Sequence, residues 1–399
     1  MRSPISHKNE SCDVTSDDSE NPIVVVGAFP DSVVAFRGEL IRALADQVAS
    51  VTVMADDCCD KTKAEIEGLG VSFRAYPVER NGMNPLADLR TLRTLKRIFR
   101  ELNPTLILAY TIKPIIWGGI ASRALPSCKF HALITGLGYA FHGKSWKRRL
   151  LNKMVSSLYK FSLSRAESVI FQNHEICQVF VKRGIVPKNK CHVVAGSGVN
   201  IEHYQYQPLP LGKPTFLLIA RLLGDKGLRE YAAAAKLVKK EFPDARFQLL
   251  GPADPSPDGI SLQEVNSLHQ EGVLEYLGEA SDVRPYLEQC HVYVLPSYHE
   301  GMPRTVLEAM AIGRPILTTS IPGCKETVEQ GKNGWLVQPR NVEELAAKLI
   351  WFLSNPEKWQ DYGSHSRKIA EEKFDVVKVN QDMIRIIGIA PKTEILSFA

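Results

Sequence analysis

Two acidic residues in one short segment have the chemistry to bind the hydroxyl groups of a ligand. Glu300 and Glu308 lie eight positions apart in segment 297–310, which follows the apolar run 292–295. In a continuous helix their carboxylates would be about 12 Å apart, farther than the roughly 5–9.5 Å between the two carboxyl groups of a glycosidase. The spacing favours binding at both ends of one long ligand. The alternative is that Glu300 caps the helix and Glu308 is unrelated to it.

The same segment predicts an anion site at the start of a helix. A turn containing Gly301 and Met302 leads to Pro303, near which we expect the helix to begin. Proline is favoured at a first helical position because it has no N–H group to leave unbonded. The free N–H groups of Arg304 and Thr305 would then point out of the helix N-terminus, where they suit a phosphate.

A second loop carries two cations. Arg221 follows the apolar run 215–220, and Lys226 comes five residues later, before a predicted helix. The guanidinium fork of the arginine and the point charge of the lysine can together hold a diphosphate. The alternative is that both side chains belong to a solvated surface.

These motifs closely resemble the retaining family 4 glycosyltransferases of the GT-B fold. The resemblance extends from Ile23 to about Phe374. Four features of the second half carry most of it: the Arg-x4-Lys loop, the Leu277-Gly278 turn, the EGMPRTVLEA segment from Glu300 and the GxPI strand from Gly313. The GLGY loop with its basic helix, and the LPSYHEGMP segment, are similar to bacterial enzymes that extend undecaprenyl-diphosphate-linked sugars.

The resemblance implies a role for each of these residues. Glu300 would contact the hydroxyls of a donor sugar, and Glu308 would hold the ribose of its nucleotide. Arg221 and Lys226 would bind the diphosphate, so that Glu300, Arg221 and Lys226 form the predicted catalytic set. The segment near Asp282 and Val283 would face the base. The full set of further residues predicted to bind the donor is Gly27, Arg37, Gly251, Asp282, Val283, Gly301, Met302, Arg304 and Thr305.

The resemblance also implies the reaction. It implies transfer with retention of the anomeric configuration, front-face attack with the leaving phosphate taking the acceptor proton, and no metal or other cofactor. We expect a UDP-sugar donor and a polyprenyl-diphosphate-linked saccharide acceptor. Pro303 departs from the family, whose members often have an amide-bearing residue there, so neighbouring amides must serve the phosphate.

The first half gives weaker signals. Gly27 follows the apolar run 23–26, but the GxGxxG motif is absent, which argues against a dinucleotide-dependent oxidoreductase. Arg37 is predicted to open the next helix and to approach the diphosphate or the acceptor, unless it is a surface arginine. Lys113, after a strand at 106–110, is a candidate contact for an acceptor phosphate.

A glycine loop follows the predicted strand 131–134. Gly136 and Gly138 would permit close backbone approach or a positive φ, although a plain turn explains them equally well. His142 lies just beyond. Many members of the family have a first-domain histidine near the donor sugar, and a surface histidine is the alternative.

Positive charge is concentrated in the first half. Residues 80–165 contain 16 Lys and Arg against 2 Asp and Glu. Arg90, Arg93, Arg97 and Arg100 recur at helical spacing, and a second set surrounds Trp146: Lys144, Lys147, Arg148, Arg149 and Lys153. Basic residues mixed with tryptophan and leucine favour an anionic membrane surface. The alternative is a solvated basic face, and no nucleic-acid motif is present.

Apolar runs and helical patterns alternate along the whole chain. This alternation predicts an α/β fold with two Rossmann-like, doubly wound domains facing each other across a cleft. A proline-rich link near 205–214 marks the boundary. We therefore predict four regions: a disordered tail 1–20, an acceptor-binding domain 21–207, a nucleotide-sugar-binding domain 208–375, and a C-terminal helix and tail 376–399. The stretch 376–389 cannot be placed from its pattern alone.

The sequence thus predicts a glycosyltransferase on the cytoplasmic face of a membrane. The polar start of the chain has no signal-peptide core, and no apolar run reaches 18 residues. Three alternatives stay open. One is a nucleotide-sugar 2-epimerase of similar shape, another is a soluble transferase with a small-molecule acceptor, and the third is a non-catalytic membrane-surface adaptor.

Overall fold

A computed structural model describes residues 22–79, 84–136, 146–256 and 258–390, without the side chains of residues 146–148. Positions Gly138, His142 and Lys144 therefore lie outside the described residues. So do the side chains of Lys147 and Arg148. Within the described part, no helix is both long and apolar enough to cross a membrane.

The first sheet has seven parallel strands in the order β3-β2-β1-β4-β5-β6-β7. Its strands are β1 (Ile23–Val26), β2 (Val51–Ala55), β3 (Ser72–Ala75), β4 (Leu106–Tyr110), β5 (Lys129–Ile134), β6 (Ser168–Phe171) and β7 (Cys191–Val193). The strands from β1 to β6, other than the edge strand β3, are almost fully buried, as expected where helices cover both faces of a parallel sheet.

The second sheet has six parallel strands in the order β10-β9-β8-β11-β12-β13. These are β8 (Thr215–Ile219), β9 (Arg246–Leu250), β10 (Glu275–Tyr276), β11 (Val292–Leu295), β12 (Ile316–Thr319) and β13 (Gly334–Val337). Two sheets of this kind confirm the predicted α/β architecture.

The described α-helices cover both sheets. In the first half they are α1 (Pro30–Gln47), α2 (Asp60–Glu67), α3 (Pro85–Leu102), α4 (Ile112–Ala121), α5 (Trp146–Leu163) and α6 (His174–Lys182). In the second half they are α7 (Leu228–Val238), α8 (Leu262–Gln270), α9 (Arg284–Glu288), α10 (Arg304–Ile312), α11 (Val342–Ser354), α12 (Trp359–Ile369) and α13 (Val376–Ile386).

The last helix, α13, returns to the first sheet. Its residues Val379 and Met383 are buried in the same apolar cluster as Leu40 and Ile41 of α1. The two passages of the chain between the sheets lie side by side, since the Val199 N–H donates to the Phe374 carbonyl at 2.7 Å. The stretch that the sequence pattern left unplaced is thus part of the first domain's core.

Each sheet has a switch point, where successive connections leave the sheet in opposite directions. It lies between β1 and β4 in the first sheet and between β8 and β11 in the second. Ligands of open α/β sheets bind at the carboxyl ends of the strands beside such a point. The loops after β1, β4, β8 and β11 are therefore expected to line a ligand-binding site.

Candidate active site

The loops after β8 and β11 bring Lys226 and Glu300 together. Lys226 Nζ donates to Glu300 Oε1 at 2.8 Å, and Ser297 Oγ donates to the same oxygen at 2.8 Å. Both charged side chains are largely buried. Burial lowers the pKa of Lys226, but the facing carboxylate outweighs burial and raises the pKa above its ordinary value. Two residues of the predicted catalytic set thus form one ion pair at the switch point of the second sheet.

Backbone packing fixes this juxtaposition. Gly227 ends the short 3-10 helix Gly224–Lys226 with a φ of 73°. A Cβ atom there would lie 2.2 Å from the Pro296 carbonyl oxygen, so only glycine permits the two loops to approach so closely. The Tyr298 N–H also donates to the Asp225 carbonyl at 2.8 Å.

Arg221, the third predicted catalytic residue, pairs with Asp254, which follows β9. Burial raises the pKa of Asp254, but hydrogen bonds from Ser256 and the charge of Arg221 outweigh burial and lower the pKa below its ordinary value. Gly251 keeps the two loops close, because a Cβ atom at that position would lie 1.9 Å from the Ala220 carbonyl oxygen. Half of the Arg221 side chain stays exposed.

Glu308 lies on α10 and is only 5% exposed. Arg304 Nε donates to its Oε1 at 2.8 Å, one helical turn away. Burial raises the pKa of Glu308, against the opposing effects of Arg304 and of a hydrogen bond with Tyr204. A buried carboxylate with one cation and one hydroxyl beside it is suited to accept hydrogen bonds from a polyol.

The start of α10 differs from the prediction at one position. Pro303 precedes the helix with an extended ψ of 106°, and Arg304 is the first helical residue. The Val306 and Leu307 N–H groups donate to the Pro303 carbonyl. Helix geometry leaves the N–H groups of Arg304 and Thr305 without acceptors in the helix, as a phosphate site requires. The Thr305 hydroxyl accepts from Tyr293 at 2.6 Å, which holds α10 to β11.

This late start also corrects the predicted carboxylate spacing. Glu300 lies in the non-helical loop after β11, and only residues from Arg304 onward are helical. The separation of 12 Å for a continuous helix therefore does not apply to Glu300 and Glu308.

The predicted base-facing segment precedes the short helix α9. Asp282 accepts hydrogen bonds from Arg284, and this guanidinium lowers the pKa of Asp282 to about 2. The side chain of Val283 packs into the apolar cluster below. Asp282 lies near enough to Glu308 for its negative charge to raise the pKa of that carboxyl, so the two predicted nucleoside contacts are neighbours.

The loop after β11 also contacts the first sheet. A Cβ atom on Gly301 would lie 2.0 Å from the carbonyl oxygen of Thr135, which follows β5. Asn173 caps α6 through the Ile176 N–H and also donates to the Gly301 carbonyl at 2.7 Å. Met302 packs against Gly196. The carboxyl edges of the two sheets therefore meet at Gly301.

Arg37 does not open its helix as predicted. It is the eighth residue of α1, because α1 already begins at Pro30, and it is only 5% exposed. Its guanidinium carbon lies 5.5 Å from the ring centre of Tyr110, at the end of β4. Gly27 makes room for this ring, since a Cβ atom there would lie 2.2 Å from the Tyr110 hydroxyl.

The remaining first-domain predictions have mixed outcomes. Lys113 lies in the first turn of α4, and its Nζ donates to Asp88 at 2.8 Å, so its charge is already paired. Gly136 has open space where a Cβ atom would be, and close approach does not explain it. Arg149 is exposed on α5.

The sequence reasoning missed four residues that hold this site: Ser297, Asn173, Asp254 and Tyr204. Asn173 had a usable signal, because Gln172 and Asn173 follow the buried strand β6 directly, at its carboxyl end. Asp254 likewise comes shortly after β9. Tyr204 belongs to the link between the sheets, where no local pattern connects it with Glu308.

Comparisons with known proteins agree on one family. The family described as "Glycosyl transferases group 1" matches residues 201–369, and "Glycosyl transferase 4-like domain" matches residues 33–196. The N,N'-diacetylbacillosaminyl-diphospho-undecaprenol alpha-1,3-N-acetylgalactosaminyltransferase of Campylobacter jejuni is 30% identical over 81% of this chain and 87% of its own length.

Two further relatives extend the comparison. The UDP-Gal:alpha-D-GlcNAc-diphosphoundecaprenol alpha-1,3-galactosyltransferase of Escherichia coli is 25% identical over 73% of this chain and 78% of its own length. A solved structure of Anabaena Alr3699/HepE in complex with UDP and glucose has a TM-score of 0.75 at 20% identity. It covers 92% of this chain and 98% of that protein, which shows a shared fold.

Proposed function

Because this chain belongs to the group 1 glycosyl transferases, we propose that it transfers a hexose or N-acetylhexosamine from a UDP-sugar to a saccharide carried on a polyprenyl diphosphate. One observation supports the donor half above all. The Lys226–Glu300 pair, the buried Glu308 and the N-terminus of α10 are grouped beside the switch point of the second sheet. This group combines carboxylates that can accept hydrogen bonds from sugar hydroxyls with N–H groups that can donate hydrogen bonds to phosphates. Recognition of a nucleotide-sugar requires both.

The proposed chemistry is stabilisation of the leaving group. Negative charge develops on the diphosphate as the bond to the sugar breaks, and Arg221, Lys226 and the α10 N–H groups are cationic or dipolar groups that stabilise it. Glu300 would orient the sugar through its hydroxyls. In this proposal the leaving phosphate takes the acceptor proton, the anomeric configuration is retained and no metal takes part.

The acceptor half of the proposal draws on the relatives. The names of the Campylobacter jejuni and Escherichia coli enzymes both specify a saccharide on diphosphoundecaprenol or diphospho-undecaprenol. An acceptor of this kind is anchored in a membrane, so the enzyme has to reach a lipid surface. We propose that it does so as a peripheral protein on the cytoplasmic face.

Two exposed helical faces are suited to an anionic lipid surface. On α3, the arginines at 90, 93, 97 and 100 are exposed beside Leu86, whose side chain is 78% exposed. On α5, Leu150, Met154 and Phe161 form an exposed apolar stripe flanked by Arg149, Lys153 and Lys160. Both helices pack against α4, on the same face of the first sheet. Cations that flank exposed apolar side chains are typical of membrane-surface helices.

Calorimetric titration with UDP, GDP and NAD, without added metal, tests the donor half. We expect micromolar binding of UDP, no binding of NAD, and loss of UDP binding in Arg221→Ala. Binding of GDP instead of UDP would change the donor, and binding of neither nucleotide would contradict the proposal. Transfer from a UDP-sugar to a polyprenyl-diphosphate saccharide tests the acceptor half. Conversion of the UDP-sugar without any acceptor would favour an epimerase.

Flotation with phosphatidylglycerol vesicles at low salt tests the membrane surface. We expect the triple variant Arg149→Glu, Lys153→Glu, Lys160→Glu to lose binding. The matched control reverses Lys61 and Lys63, which are exposed on α2. That helix packs on α1, on the other face of the sheet. Equal loss in the control would indicate a general charge effect, and equal binding of all three proteins would contradict the membrane surface.

A further inference from the structure

Arg37 differs from the other cations at the facing edges of the two sheets. Arg221, Lys226, Arg304 and Lys113 each have a carboxylate partner. For Arg37 the described residues supply none, although it is 5% exposed. A buried charge without a counter-charge is costly, because the protein interior replaces little of the lost hydration.

The surroundings of Arg37 hold its guanidinium in place without neutralising it. The Tyr110 ring lies on one side. With its amide oriented so that the nitrogen donates to the Thr135 carbonyl at 3.1 Å, Gln172 accepts from Arg37 Nη2 at 3.1 Å. Thr135 in turn contacts Gly301 of the proposed donor loop. Gln172 and Thr135 therefore connect the Arg37 side chain with that loop.

Unused hydrogen-bonding groups are concentrated at the same point. Arg37 Nε and Thr111 Oγ1 are buried and have no hydrogen-bond partner among the described residues. The buried Tyr110 hydroxyl beside them has the Ser32 hydroxyl as a neighbour, which itself donates to the Phe29 carbonyl. Tyr110 ends β4, beside β1, and Thr111 follows it, so all three groups lie near the switch point of the first sheet. Buried polar groups in native proteins normally have partners. Two that lack one, beside a tyrosine hydroxyl with spare hydrogen-bonding capacity at a ligand-binding position, indicate that a ligand supplies the partner.

The electrostatics favour an anion as this ligand. Burial lowers the pKa of Arg37 to about 10, against the opposing effect of Tyr110 and with a further decrease from the positive charge of Arg304. Arg37 therefore remains protonated at neutral pH, with a second guanidinium close enough to repel it. An anion placed between the two arginines would relieve that repulsion and accept the free hydrogen bonds at the same time.

We propose that Arg37, with the Tyr110 and Thr111 hydroxyls, forms an oxyanion-binding site in the first domain that takes a phosphoryl group of a substrate. A phosphoryl group has several acceptor oxygens around one centre, which matches three donors from different directions. This inference rests on the proposed function only for the identity of the molecule that carries the phosphoryl group. That molecule is either the nucleotide-sugar or the polyprenyl-diphosphate acceptor.

Calorimetric titration of the full-length protein distinguishes the two sources. The probes are UDP, inorganic diphosphate and farnesyl diphosphate, and the variant is Arg37→Gln. The matched control is Arg42→Gln, which removes an exposed arginine from the same helix. We expect the Arg37 variant to bind at least one probe about tenfold more weakly and the control to match the wild type. Weaker binding of UDP and inorganic diphosphate assigns the site to the donor. Weaker binding of farnesyl diphosphate alone assigns it to the acceptor.

Affinities within fivefold of the wild type for all three probes would overturn the inference. So would a wild-type protein that binds none of them. A wild type that binds inorganic diphosphate but not UDP would contradict the proposed donor, and tenfold weaker diphosphate binding by Arg37→Gln would still support this site.

Thermal unfolding separates binding from a structural role. Because removal of an uncompensated buried charge does not destabilise the fold, Arg37→Gln should melt no lower than the wild type while losing affinity. A lower melting temperature would identify a structural arginine and overturn the inference. If Arg37→Gln fails to fold, Arg37→Lys keeps the charge but loses the fork. We expect it to fold and to bind the affected probe at least fivefold more weakly, and unchanged affinity would again overturn the inference.

Discussion

The two sides of the cleft differ in how their most deeply buried cation is held. In the second domain, Arg221, Lys226 and Arg304 are each paired with a carboxylate before any ligand is present. In the first domain, Arg37 is more deeply buried than any of these and has no carboxylate among the described residues. Lys113, also in the first domain, is paired with Asp88, so Arg37 is the exception. The protein itself neutralises the other cations, whereas we propose that Arg37 takes its counter-charge from a ligand.

This difference has a physical consequence for binding. Two of the carboxylates in the second domain, Glu300 and Glu308, are the proposed contacts for sugar and ribose hydroxyls. They hold the cations in position, so the proposed donor site is preformed and little has to be ordered on binding. A diphosphate then has to share cations that already have partners. Arg37 has no ion pair to break when an anion binds. Its interaction with the anion is therefore not weakened by competition with a carboxylate of the protein.

The largest effect expected from this comparison is a loss of sugar-transfer rate when Glu300 is replaced. Glu300→Gln keeps the shape but removes the charge that holds Lys226 beside Ser297. We expect sugar transfer to fall by about 100- to 1,000-fold, since loss of one transition-state contact in a preformed site has this size. Initial rates with a radiolabelled UDP-sugar measure it. UDP affinity should stay near the wild-type value, because Glu300 is assigned to the sugar.

The control for this experiment is Glu279→Gln, an exposed glutamate after β10. It should transfer sugar at the wild-type rate. A Glu300→Gln rate within tenfold of the wild type would show that the Lys226–Glu300 pair is structural, and the proposed role of Glu300 would be lost.

The next effect concerns stability and involves a buried histidine in each domain, since burial lowers the pKa of both His131 and His291. His131, in β5, has one ring nitrogen near the Ser168 hydroxyl and the other without a partner, whereas both ring nitrogens of His291 in the second domain contact backbone groups. Burial lowers the pKa of His131 to about 4, from an ordinary value of 6.5, with smaller decreases from nearby cations.

The sign of the pH effect follows from the proton balance. Above pH 6.5 His131 is neutral in both states. Between pH 6.5 and pH 4 the unfolded chain takes up a proton that the folded protein does not, so the free energy of unfolding decreases as the pH falls. The full decrease is about 3 kcal/mol. Urea unfolding at pH 7.5 and pH 5 should show part of this decrease in the wild type and less of it in His131→Gln. The exposed His174→Gln should behave like the wild type, and identical pH dependence in all three proteins would contradict the assignment.

A smaller effect is expected from Glu308. Glu308→Ala removes the proposed ribose contact and leaves Arg304 unpaired near Arg37. We expect UDP to bind about tenfold more weakly, which corresponds to one hydrogen bond to a charged group. Calorimetry with UDP and with inorganic diphosphate measures the specificity of the loss. A loss that is equal for both probes would move Glu308 from the ribose to the phosphates, and unchanged UDP affinity would remove it from the site.

The sequence was informative where chemistry depends on neighbours along the chain. The motifs around Arg221 and Glu300 predicted the family and the fold, and both are confirmed, because strand ends and helix starts impose local patterns on the residue types. The roles assigned to these two residues stay predictions. The start of α10 was predicted one residue too early, since proline is favoured both just before a helix and at its first position.

Sequence reasoning failed where contacts join distant segments. The burial of Arg37 could not be read from α1, because its neighbours are Tyr110 at the end of β4 and Gln172 just after β6. Lys113 looked available for a phosphate, but a carboxylate 25 positions earlier pairs with it. The partner of Arg221 was missed for the same reason. Asp254 comes 33 positions later and meets Arg221 only because β8 and β9 are neighbours in the sheet.

The smallest expected effect tests most directly whether pairing in the second domain weakens ligand binding. Asp254→Asn removes the charge that competes with a diphosphate for Arg221. Arg221 is half-exposed, although the Asp254 side chain is only 8% exposed. Because ion pairs with a solvated partner contribute about 0–1 kcal/mol, we expect UDP to bind up to about fivefold more tightly. Asp258→Asn is the control, since Asp258 accepts hydrogen bonds in the same loop but has no ion pair among the described residues. Tighter binding in Asp254→Asn alone would support competition between protein and ligand for Arg221. Weaker binding would mean that Asp254 positions Arg221 for the diphosphate. Pairing with a carboxylate would then preorganise the cations of the second domain for binding, an advantage that the unpaired Arg37 lacks.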